Sequence, residues 1–242
     1  MKKNIIILVL FIVIFIMSII IGVNSGKKCD GGVSETPTDE EVVNVEVTND
    51  EIQNLYYNIN NAIGMPCGLS DVYFTGNRVT VADLSYEMLF KIGSYPILKN
   101  DYKVNYSLDS VTANINKFFG SKVQFKADTY KSTPSYKYNY DTGSYEYQND
   151  NGLVKSCTEG ENIVRMVKAT KSSSKIEIYL RVIFTKEGKY YKDSSHSIEL
   201  TNLIKEGNTV STIGSNMRQG SLYKMVFAKE KNNYVFVSSE LG

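Results

Sequence analysis

Residues 107–127, SLDSVTANINKFFGSKVQFKA, contain the change of period that decides the fold. Up to Phe119 the apolar residues Leu108, Val111, Ile115, Phe118 and Phe119 recur at helical spacing, with Ser107 placed as the cap and Gly120 as the closing residue. Beyond Gly120, Val123, Phe125 and Ala127 alternate with Gln124 and Lys126, the period of a half-buried strand. Helical patterns lie upstream of this switch and strand patterns downstream. That order predicts an α+β fold, with about three helices packed on a mostly antiparallel sheet of about seven strands.

Working upstream, Thr48-Asn49-Asp50-Glu51 fits a capping box with Thr48 as N-cap, and Ile52, Leu55, Tyr56 and Ile59 form one apolar stripe behind it. Thr80-Val81-Ala82-Asp83 opens a second predicted helix carrying Leu84, Met88, Leu89 and Ile92, with Gly93 and Pro96 as its stop. Working downstream, residues 163–170 and 176–185 read as a hairpin across Lys171-Ser172-Ser173-Ser174-Lys175. Its alternation breaks near Val182, which signals a bulge or a centre buried on both faces. Lys186-Glu187-Gly188 turns into Lys189-Tyr190-Tyr191, residues 198–204 fit a strand or a short edge segment, and residues 222–229 and 234–238 form a last hairpin.

Between the switch and those hairpins lies Tyr136-Lys-Tyr138-Asn-Tyr140-Asp-Thr-Gly143-Ser-Tyr145-Glu-Tyr147, five tyrosines around a turn. A two- or four-residue loop pairs Tyr140 with Tyr145 and Tyr138 with Tyr147, putting all five on one face; a three-residue loop splits them. An exposed ladder of this kind is a recognition surface for a sugar, a peptide or a protein. A ladder turned to the core is strand propensity.

At the amino-terminal end, residues 5–23 (IIILVLFIVIFIMSIIIGV) carry no charge and no proline. As a helix they span about 28 Å, close to the thickness of a bilayer core. The run is too long for the apolar part of a cleaved signal, and Gly26-Lys27-Lys28 before Cys29 does not suit lipidation. A single-pass anchor is therefore expected. Lys2 and Lys3 nearly balance Lys27 and Lys28, and the Met-Lys-Lys start favours a cytoplasmic amino terminus with the bulk of the chain extracytoplasmic. From Asp30 to Glu51 there are eight acidic residues and no basic one, the composition of a solvated linker. The organisation expected is an anchor at 1–27, an acidic linker at 28–47 and one α+β domain at 48–242.

Cys29, Cys67 and Cys157 match no metal-binding spacing. Outside the cytoplasm the natural pair is Cys67 with Cys157, which closes a loop of about 90 residues and stabilises by several kcal/mol on the chain-entropy view. Two free buried thiols and a cysteine nucleophile are the alternatives. With 27 basic against 26 acidic residues, net charge +1, no global field favours nucleic acid. The one histidine, His196, sits in Asp193-Ser-Ser-His196-Ser and builds neither a zinc site nor, with adjacent serines, a triad. Phosphate loops and dinucleotide fingerprints are absent, and no cofactor is implied.

The anchor invites comparison with sortases, which carry a similar span and an external β-rich domain. Their histidine precedes the reactive cysteine in a Thr-Leu-x-Thr-Cys setting, whereas Val154-Lys-Ser-Cys157-Thr lacks the motif and His196 follows it. With Val79-Thr-Val-Ala-Asp-Leu-Ser85, Phe118-Phe-Gly120 and the tyrosine-rich hairpin, the chain resembles a broad group of uncharacterised single-span external proteins of low-GC Gram-positive bacteria. That resemblance implies location but no activity. The element order is also similar to cystatin-like and NTF2-like folds, in which helices pack in the curve of a sheet. The function expected is a membrane-anchored domain that binds a protein or envelope ligand, with a cell-envelope hydrolase or transferase as the alternative.

Overall fold

The structure, a computed structural model, describes residues 40–131, 134–149, 162–201, 203 and 216–242. The anchor segment at 5–23, Cys29 and Cys157 lie outside the described residues. No helix among the described residues is long and apolar enough to cross a membrane.

Two antiparallel sheets enclose the helices. The larger has seven strands in the order β1-β6-β7-β9-β10-β2, with β8 paired to β7 off this path. Its strands are β1 (Val43–Val45), β2 (Val79–Thr80), β6 (Ile163–Lys171), β7 (Lys175–Lys186), β8 (Lys189–Tyr191), β9 (Ser221–Glu230) and β10 (Asn233–Leu241). The smaller sheet, in the order β3-β5-β4, is built from β3 (Tyr106–Ser107), β4 (Ser135–Asn139) and β5 (Ser144–Asn149). Four helices occur among the described residues: α1 (Asp50–Asn60), α2 (Ser70–Tyr73), α3 (Tyr86–Leu98) and α4 (Leu108–Phe119). The α+β class with a sheet of about seven strands is as the periodicity predicts.

On the helix side of the large sheet, Ile176, Ile178, Leu180 and Val182 of β7 are fully buried, as is Met225 of β9. The stripe on α1 meets this layer through Ile52, Tyr56 and Ile59, and α4 through Val111, Ile115 and Phe118. Ser107 caps α4 by accepting from the Ser110 N–H at 3.2 Å, and Gly120 ends it at φ +92°. Both residues act as their side chains dictate.

Several local expectations are corrected. Asn49, not Thr48, caps α1, accepting from the Glu51 N–H at 2.9 Å. Thr80 and Asp83 do form a capping box, but it closes a single 3-10 turn at Val81–Asp83, and α3 starts afresh with Ser85 as its cap. Helix α3 runs through both Gly93 and Pro96 to Leu98. Pro96 removes the hydrogen bond to the Ile92 carbonyl only in the last turn, two residues before the helix ends, and Gly93 is there for packing. A Cβ on it would lie 2.7 Å from Ile115 Cγ1 and 3.0 Å from the Val111 carbonyl oxygen of α4.

Residues 123–127 do not form a strand. Val123, Phe125 and Ala127 half-bury against the core while Gln124 and Lys126 stay exposed, so the alternation is real. Alternation reports which way side chains point, whereas a strand also needs a ladder partner. The acidic stretch also enters the domain before residue 48. Val43–Val45 forms β1 against β6, and Glu40 grips the β6–β7 turn through Ser173 Oγ, the Ser174 N–H at 2.5 Å and Ser174 Oγ at 2.7 Å. Those hydrogen bonds, Ser173 foremost, hold the Glu40 carboxyl down at about 2.

Candidate anion-binding face

The tyrosine hairpin closes through a four-residue connection at 140–143, one residue earlier than the pairing of Tyr140 with Tyr145 requires. Tyr136 pairs with Tyr147 and Tyr138 with Tyr145 across a four-residue connection, leaving Tyr140 in the turn. The shift is even, so the four paired rings keep one face, but that face is the inner one. Tyr136 and Tyr145 are fully buried, Tyr138 nearly so and Tyr147 half-buried, while Tyr140 is 74% exposed. A recognition platform made of these five residues is therefore corrected to a core wall. What turns it inward is Phe90 of α3, whose ring lies 4.1 Å from Tyr130, 4.7 Å from Tyr145 and 5.9 Å from Tyr136. Three of the hydroxyls in this wall find partners: Tyr136 donates to the Tyr102 carbonyl, Tyr106 to Ser94 Oγ at 3.3 Å and Tyr130 to the Lys126 carbonyl at 3.1 Å. Burial pushes the Tyr106, Tyr130, Tyr136 and Tyr145 phenols above the usual tyrosine range.

His196 is half-buried rather than on an open loop, its ring edge-on to Tyr191 at 5.1 Å and to Phe184 at 6.4 Å. Its neighbours serve Asp193, which accepts from Ser195 Oγ, the Ser197 N–H at 3.1 Å and the Ile198 N–H at 2.7 Å. Against the opposing effect of burial, these hydrogen bonds hold the Asp193 carboxyl well below the usual carboxylate range. The serines thus tie a loop and are not paired with the imidazole. Among the described residues no group of three or more His, Cys, Asp or Glu side chains converges on a metal position. Cys67, in the connection between α1 and α2, is disulfide-bonded.

The face of the large sheet turned away from the helices is different in kind. Strand β7 presents Glu177, Tyr179 and Arg181 there, between the buried residues of the other face. In β6 the register shifts between Met166 and Lys168, so that Val167 is the extra residue. Arg165 stands directly opposite Arg181, and Lys168 opposite Tyr179. Without the bulge, strict alternation would turn Lys168 toward the helices; with it, Arg165 and Lys168 share the outer face. Lys168 Nζ sits 5.4 Å from the centroid of the Tyr179 ring, whose hydroxyl donates to Glu177 at 3.0 Å.

The third wall is the 3-10 turn Met217–Gln219, which carries Arg218. Met217 buries beneath it with Ile183 and Leu203, which is why β7 is apolar on both faces at this point. Arg181 Nη1 donates to the Gly220 carbonyl at 2.9 Å, fixing the guanidinium beside the turn. Together with Val47, Val167 and Leu222 these groups line a hollow of about 750 Å³. Its described lining contains four cations, Arg165, Lys168, Arg181 and Arg218, and no carboxylate. Like charges opposed across a ladder repel unless a counter-charge lies between them. The arrangement suits an anion gripped by guanidinium forks. It offers no carboxylate, thiol or imidazole among the described lining for proton transfer.

These residues come from two strands and a turn, and sequence spacing links none of them. Arg181 and Arg218 stand out in the sequence only as arginines without a motif. Neither a protein-family model, nor a curated protein, nor a solved structure matches the chain, so the reading of this face rests on its own residues and geometry.

Proposed function

We propose that the chain is a membrane-tethered extracytoplasmic binding domain whose open sheet face takes a phosphate-bearing ligand of the cell envelope. The observation that carries this is the hollow lined by Arg165, Lys168, Arg181 and Arg218. Planar guanidinium forks match phosphate oxygens two at a time, and their geometry selects for such groups over a diffuse negative charge. The volume, about 750 Å³, is that of a pocket for a small molecule or a few units of a polymer. Among the described residues the helices lie on one side of the sheet, in the manner of cystatin-like and NTF2-like folds, and the hollow lies on the other.

The tether is residues 5–23, supported by length and composition. Retention in the membrane pellet after alkaline carbonate, with loss of the domain when protease is added to intact cells, is the expected behaviour. Release by carbonate would remove the anchor from the proposal.

Short-chain polyphosphate titrated calorimetrically into the full chain, held in a non-ionic detergent, tests the ligand class. Saturable binding is expected, weakened about tenfold by Lys168→Gln or Arg218→Gln, because each removes a charge-assisted hydrogen bond of about 1.5 kcal/mol or more. Lys189→Gln, on β8 and outside the hollow, is the control. Equal weakening by all three substitutions, or no saturable binding, refutes the assignment.

A further inference from the structure

A second hollow, on the helix side of the same sheet, has a different chemistry, with four amides, one carboxylate and one ammonium in its lining. Helix α1 contributes Glu51, Asn54, Leu55, Asn58 and Ile59, one stripe at helical spacing. Lys117 and Phe118 at the end of α4 form another wall, and Asn232, Asn233 and Tyr234 at the β9–β10 turn a third. The space enclosed is about 430 Å³. Its floor is apolar and buried, with Ile59, Phe118 and Phe227 each 5% exposed or less.

Two features give this hollow its chemistry. First, four amide side chains converge on it, and among the described residues none of Asn54, Asn58, Asn232 or Asn233 spends its side chain on a hydrogen bond within the protein. Asn49, Asn60 and Asn114, by contrast, are committed: Asn49 caps α1, Asn114 donates to the Gly93 carbonyl and Asn60 accepts from the Leu69 N–H. Second, the aromatic group at the rim is held rigidly. Tyr234 Oη donates to the Ser172 carbonyl at 3.3 Å, and Lys171 Nζ lies 5.2 Å from the ring centroid. Lys171 is in turn fixed by Glu51 Oε2 at 2.6 Å, which also neutralises the one carboxylate of the hollow.

We infer that this hollow is a binding site for a neutral glycan. Each amide both donates and accepts, as each sugar hydroxyl does, so a wall of uncommitted amides can satisfy a ring of hydroxyls without selecting for charge. Apolar floor groups and a fixed aromatic ring can pack against the C–H face of a pyranose. The volume accommodates one or two sugar units. The inference is independent of the anion-binding face, since the two hollows share no residue.

The test uses the full chain in a detergent without a sugar headgroup, with N,N′-diacetylchitobiose and cellobiose as probes and an acetylated dipeptide amide as the competitor class. Calorimetry and ligand-observed saturation transfer are expected to show saturable binding of at least one disaccharide, with a dissociation constant on the order of 1 mM. Asn54→Ala/Asn58→Ala is expected to weaken it about tenfold or more, the loss of one or two hydrogen bonds, with an unchanged unfolding midpoint or a raised one because alanine favours the helix. Asn232→Ala, on a turn, checks the opposite wall without touching α1. Failure of both sugars to saturate, undiminished binding in both variants, or tighter binding of the dipeptide amide each overturns the inference.

Discussion

Replacing Gly220 by alanine isolates the contact that builds the anion-binding face. The backbone there, φ −68° and ψ 158°, is open to any residue, so by conformational entropy alone the change stabilises by about 0.4 to 1 kcal/mol. The space argues the other way. A Cβ on Gly220 would lie 2.5 Å from the Val182 carbonyl oxygen and 2.9 Å from its carbonyl carbon. Both are backbone atoms in the middle of β7, and no side-chain rotation relieves them. To reach even 3.0 Å the start of β9 must back away from β7 by 0.5 Å (3.0 minus 2.5), and the 3-10 turn moves with it. Overpacking of this kind costs about 1 to 3 kcal/mol, so a net loss of about 1 to 2 kcal/mol is expected after the entropic gain. The shift also pulls the Gly220 carbonyl from Arg181 and carries Arg218 away from the hollow, so polyphosphate affinity falls with stability. Urea unfolding followed by circular dichroism reads the first effect and calorimetric titration the second. A Gly220→Ala chain of equal or greater stability with unchanged affinity would refute the packing argument.

Three further outcomes follow from single contacts. Gly93→Ala should destabilise by about 1 kcal/mol despite alanine's helical advantage, because the added carbon meets Ile115 and the Val111 carbonyl, whereas Ala113→Gly on the exposed side of α4 should cost about 1 kcal/mol by propensity alone. A gain in unfolding midpoint for Gly93→Ala contradicts the close crossing of α3 and α4. Glu40, lowered from 4.5 to about 2 chiefly by Ser173, stabilises the β6–β7 turn above its unfolded value, and that contribution is lost as pH falls from about 4.5 through about 2. The protection factor of the Ser174 amide, the exchange rate corrected for its intrinsic dependence on pH, should fall over that window in the native chain and be insensitive to it in Glu40→Gln. For the bridge, we propose Cys157 as the partner of Cys67: Asn162, five residues beyond Cys157, donates to Asp71 on α2, next to the Cys67 loop. Non-reducing peptide mapping should recover a Cys67–Cys157 pair, and a Cys29–Cys67 pair instead would sink it.

The sequence by itself determined the class of fold, because periodicity is a local property. The stripes on α1 and α4, the cap at Ser107, the stop at Gly120 and the two long hairpins were all legible, since each depends on side chains a few residues apart. It left the tyrosine hairpin one-faced or split according to the length of its loop, and the four-residue connection kept the four paired rings on one face. Which way that face turned was decided only by tertiary structure, through Phe90. Helix α3 is buried on several sides, against α4 and against the tyrosine sheet, so its pattern is too uniformly apolar to advertise either contact. For the same reason Gly93 reads as a stop in sequence and serves as a crossing point in space. The two hollows lay furthest from view. The basic face depends on a one-residue bulge at Val167 that brings Lys168 beside Arg165, and on a turn about 50 residues further along that delivers Arg218. The amide-lined hollow joins the start of the domain to its last hairpin. Register and long-range closure are set by the whole core at once, and no window of sequence contains them.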